Sequence, residues 1–135
     1  MMNFNEFKEL VIAECAEQGI TEYELYYQAG ESISVDVFQH SLNEFTSSRS
    51  GGVCFRCIVN GKMGYASTEA LNPLQAKEVV AKAADYAAIL EAEEQVFLGE
   101  GGQEYEPLQR NTYALPTTEE LISKVLETQE KLYAA

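Results

Sequence analysis

Apolar residues change their spacing along this chain, and each change predicts an element. From Asn3 to Glu17, Phe4, Phe7, Leu10, Val11 and Cys15 recur at helical spacing. Gly19 follows as the stop, since glycine readily takes the left-handed conformation that ends helices. From Thr21 the period becomes two. Tyr23, Leu25, Tyr27 and Ala29 alternate with Glu22, Glu24, Tyr26 and Gln28. Gly30-Glu31 punctuates, and then Ile33, Val35 and Val37 alternate with Ser34, Asp36 and Phe38. Such alternation predicts strands with one face in and one face out. Gln39-His40-Ser41 reads as a turn, and Leu42 to Ser48 as a weaker strand with a wet outer face. Gly51-Gly52 opens the strongest strand, Val53 to Val59. Asn60-Gly61 then predicts a tight hairpin into Lys62 to Ser67, because a type I′ turn needs positive φ at both central residues.

Asn72-Pro73 starts a second helix, with Asn72 as N-cap, Pro73 at the first helical position and Gln75 completing a capping box. Ala76, Val79, Val80, Ala83, Ala84, Ala87 and Leu90 form its apolar face, and the small residues would let it lie close to a sheet. Ala92 to Leu115 reads as an exposed, irregular connection. Thr117 and Glu120 fit the capping box of a third helix, whose stripe is Leu121, Ile122, Val125, Gln129 and Leu132. The helical pattern still runs at Ala134-Ala135, which predicts that the chain is cut from something longer. The expected fold class is α+β: a curved, mostly antiparallel sheet of about four to five strands with helices packed on one side. The expected domains are residues 1–115, an N-terminal α+β domain, and residues 116–135, the start of a further helix.

The chain has 135 residues, of which 46% are hydrophobic, enough for a core without covalent staples. Nine basic against 22 acidic residues give a net charge of −13. That sign opposes polyphosphate and anionic bilayers, so neither nucleic acid nor membrane is an expected partner. No apolar run is long enough to span a bilayer, and the N-terminus lacks the basic and apolar regions of a secretory signal. Three cysteines are too few for a disulfide framework and fit a reducing cytoplasm.

Candidate chemistry is sparse. Cys54-Phe55-Arg56-Cys57 spells C-x-x-C, the spacing of redox and zinc sites. Redox pairs usually open a helix, whereas this one sits in a strand, where residues three apart face opposite ways. Zinc would need two more ligands, and His40 is the only histidine. Ordinary strand cysteines are the better reading. His40 reads as a solvated turn residue. None of the serines lies in G-x-S-x-G, and Gly51-Gly52 lacks the rest of a phosphate-binding loop, so a bulge or tight strand entry suits it better. The expected catalytic, cofactor-binding and metal sites in this chain are therefore none. Tyr26 and Phe38 interrupt the polar face of their strands and mark a surface that packs on another domain or subunit. Between Lys82 and Arg110 there is no basic residue, while seven acids accumulate from Asp85 to Glu106. A solvated loop explains them, a docking strip for a basic partner is the alternative, and the D-x-[DN]-x-[DN]-G spacing of a calcium loop is absent.

Two stretches carry a resemblance. Glu31 to Phe38 is one. Ser50 to Thr68 is the other, with G-G-V-x-F-R at Gly51 to Arg56, N-G-K-x-G-Y-A at Asn60 to Ala66, and the exit Glu69-Ala70-Leu71. Together with the Ala-rich helix and acidic loop, they resemble the N-terminal domain of the TldD/PmbA family over roughly Gly19 to Leu108. The resemblance implies a cytoplasmic protein several times longer. TldD-type members resemble zinc peptidases whose histidine- and glutamate-containing motif lies downstream. PmbA (TldE) members lack that motif and pair with TldD in a heterodimer linked to breakdown or maturation of small unfolded peptides. An older label, modulator of DNA gyrase, reflects an indirect effect. The Ser-rich strands and Tyr65-Ala66-Ser67-Thr68 look closer to the PmbA branch.

The resemblance thus implies a non-catalytic, architectural and substrate-channel domain. Its partner would be a TldD-like subunit or a second copy, and its substrate an unfolded peptide; the strands themselves suggest that an extended peptide would add to an exposed sheet edge. No cofactor belongs to this chain; zinc belongs to the downstream domain of a TldD-type protein or partner. The alternative, from composition, is a stand-alone acidic module that engages a basic partner.

Overall fold

The computed structural model describes residues 2–91, 94–109 and 111–135. Its elements run α1 (Phe4–Gln18), β1 (Tyr23–Phe38), β2 (Ser41–Val59), β3 (Lys62–Thr68), α2 (Pro73–Ile89) and α3 (Thr118–Ala134). The strands form one antiparallel sheet in the order β1-β2-β3. The chain divides into two compact units: Met1–Ala29 with Gly51–Gly102, and Gly30–Ser50 with Gln103–Ala135.

The α+β class stands, but the sheet has three strands, not four or five. Gly30-Glu31 does not interrupt β1, and Gly51-Gly52 does not start a strand; both lie inside long ones. The reason at Gly51 is space. A Cβ there would lie 2.9 Å from the Gln28 carbonyl oxygen, so glycine serves close backbone approach in the middle of the pairing. The Asn60-Gly61 turn is as expected: φ is 51° and 75°, and Val59 pairs with Lys62 across it.

The first unit holds the core. Val53, Phe55 and Cys57 alternate inward along β2 and meet Phe7, Val11 and Cys15 of α1 and Ala76, Val79, Val80 and Ala83 of α2. Helix α1 starts at a capping box between Asn3 and Glu6 and ends at Gly19, whose φ is 68°. Helix α2 has the expected Asn72 cap, with Gln75 N–H donating to Asn72 Oδ1 at 2.9 Å. The reciprocal half of the expected box is not made. The Gln75 side chain instead meets Thr68 Oγ1 and Glu78. The small residues of α2 do bring it close to the sheet. A Cβ on Gly64 of β3 would lie 1.8 Å from the Ala83 carbonyl oxygen, so only glycine permits this packing. Lys62 Nζ donates to the Leu90 carbonyl and closes the C-terminal end of α2. Past α2, Val96 N–H donates to Gly61 O and Leu98 N–H to Glu22 Oε1, which pins the start of the connection.

The second unit is a two-stranded ribbon and α3. None of its described residues is fully buried. The expected wet outer face of Leu42 to Ser48 is in fact exposure on both faces. Helix α3 opens on the expected box, Thr117 N–H to Glu120 Oε2 at 2.7 Å and Glu120 N–H to Thr117 Oγ1 at 3.2 Å. The expected stripe of Leu121, Ile122, Val125 and Gln129 is half-buried, while Leu132 is 71% exposed. The expected irregular connection has no helix or strand in its described residues; Ala92, Glu93 and Arg110 lie outside them. Among the described residues, no helix is long and apolar enough to cross a membrane.

Candidate functional site

The C-x-x-C pair is split by strand geometry. Cys57 is fully buried among the α1 and α2 side chains. Cys54 is only partly covered, with its Sγ 3.3 Å from the Tyr65 hydroxyl. The neighbour of Cys57 in the core is Cys15. Burial, then Cys57 and Glu14, push the Cys15 thiol up to about 11. Burial also raises Cys57, against the opposing effect of a backbone hydrogen bond at Gly64. Both thiols are thus held in the unreactive protonated form at neutral pH.

Beside Cys54, Arg56 makes a bidentate pair with Glu24, with Nη2 at 2.6 and 2.8 Å from the two carboxylate oxygens. Both partners are substantially exposed, so the pair orders the outer face of the sheet more than it stabilises the fold. Tyr26 and Phe38 are both exposed.

The best-organised polar cluster lies in the second unit, at the ribbon tip. Gln39 and His40 take φ of 48° and 66°, the left-handed region that non-glycine residues rarely occupy. The backbone N–H of His40 donates to Gln129 Oε1 at 2.8 Å. Gln129 Nε2 donates to the Val37 carbonyl at 3.2 Å. His40 Nδ1 bonds the Glu130 carboxylate, and its ring packs on Tyr133 with centroids 4.8 Å apart. His40 is therefore a turn residue, as the sequence implies, but one held by α3. The pairing was illegible because its partners lie about ninety positions away. The one available signal is Gln129, a polar residue on an otherwise apolar stripe. Next to it, Val37, Val125, Thr128, Gln129 and Leu132 line a shallow apolar groove.

A catalytic zinc site takes three protein ligands. His40 and Glu130 supply two donors already bonded to each other, and Tyr133 presents its ring. Among the described residues, no group of three His, Cys, Asp or Glu side chains converges. The donors at the ribbon tip do not fit zinc.

The family profile described as PmbA/TldA metallopeptidase domain 1 matches residues 23–88, from the start of β1 into the last turn of α2. Residues 23–88 thus resemble the first domain of the PmbA/TldD family. The fold of the chain is that of two solved structures. A protein described as a modulator of DNA gyrase from Thermotoga maritima superposes with a TM-score of 0.70 and 22% identity over 95% of this chain. TldE from Thermococcus kodakarensis gives 0.65 and 23% over 92%. The chain spans 29% of the length of each. Curated proteins offer no match to this chain.

Proposed function

We propose that this chain is the N-terminal, non-catalytic domain of a PmbA/TldE-like protein. In that role it shapes the channel through which small unfolded peptides reach a zinc peptidase partner in the cytoplasm. The observation that carries the reading is the family match from β1 into α2. The likeness to TldE supports the fold on which the role depends. The side chains add a second support: Cys15 and Cys57 are spent on the core and His40 on holding α3, which leaves Cys54 as the one partly exposed thiol among the described residues. Zinc and the hydrolytic step then come from the partner subunit or from sequence of the TldD type.

Co-expression with a TldD-type peptidase tests this reading. The expected result is co-purification of the two chains and peptide hydrolysis that needs both and stops when a chelator removes zinc. Hydrolysis by the peptidase at the same rate without this chain, with no complex formed, would overturn it.

A further inference from the structure

We draw no further inference here: the strongest candidate, the shallow apolar groove that Val37, Val125, Thr128, Gln129 and Leu132 line between the ribbon and α3, carries nothing, since nothing in the structure shows what covers it.

Discussion

Two stretches of the same strand, β2, behave in opposite ways. From Val53 to Val59 its residues alternate between buried and half-buried, and Phe55 is completely covered. From Ser41 to Gly51 every residue is exposed, and Phe45 keeps 40% of its surface in water. The backbone conformation is the same. What differs is that α1 and α2 cover the first stretch, while none of the described residues is fully buried in the unit that contains the second. Alternation is thus a permission to bury one face, and a strand uses it only where a helix layer arrives. A two-stranded ribbon without such a layer is marginal in water. The side-chain clasp at His40, Gln129, Glu130 and Tyr133 is the device that orders it here.

The largest expected effects lie in the covered stretch. Phe55→Ala should lower stability by about 3–5 kcal/mol, whereas Phe45→Ala should change it by about 0.5 kcal/mol or less. Gly64→Ala should also be costly, on the order of 3 kcal/mol, since the new methyl would collide with the Ala83 carbonyl. Denaturant melts followed by far-UV circular dichroism measure all three. Equal losses for the two phenylalanines would break the comparison.

The next effect depends on pH. Cys15 has its ionisation raised from 9.0 to about 11, and Cys57 is raised as well, both chiefly by burial. The folded state therefore keeps a proton that the unfolded state gives up above about pH 9. The stability contributed is whole below pH 9 and is lost as pH rises toward 11. Melting midpoints should fall across that window, and Cys15→Ala should flatten the slope. At neutral pH the same burial predicts that a thiol reagent labels Cys54 quickly and Cys15 and Cys57 only on unfolding.

Smaller effects belong to the ribbon unit. Gln129→Ala removes two hydrogen bonds, at about 1 kcal/mol each. Thr117→Ala removes a helix cap, at about 1 kcal/mol. Each should speed amide exchange in α3 without shifting exchange in α2. In the first unit, Arg56→Ala should do least of all, under about 1 kcal/mol, since its pair with Glu24 is open to solvent.

The covered unit was legible in the sequence because its signals are local. Helical spacing from Phe4 to Cys15, the Asn60-Gly61 turn and the Asn72-Pro73 start all act within a few residues. The merging of four expected strands into two was not legible. Gly30 and Gly51 look like punctuation in sequence, and only the approach of Gln28 to Gly51 shows that glycine is needed inside the pairing. The clasp was hidden for a different reason. His40 is set by residues far along the chain, and no short pattern encodes a contact across such a separation. Ile33, Val35 and Val37 read as a half-buried face, yet Ile33 is exposed, because burial depends on a covering layer that the strand itself cannot specify.

Native-state amide exchange on the intact chain tests this account most directly. The account predicts two populations. Val53 to Val59 and α2 should exchange only through global unfolding, while Glu31 to Arg49 and α3 should exchange through local openings of much lower free energy. Uniform protection, with Ile33 and Val125 as slow as Phe55 and Val80, would contradict it.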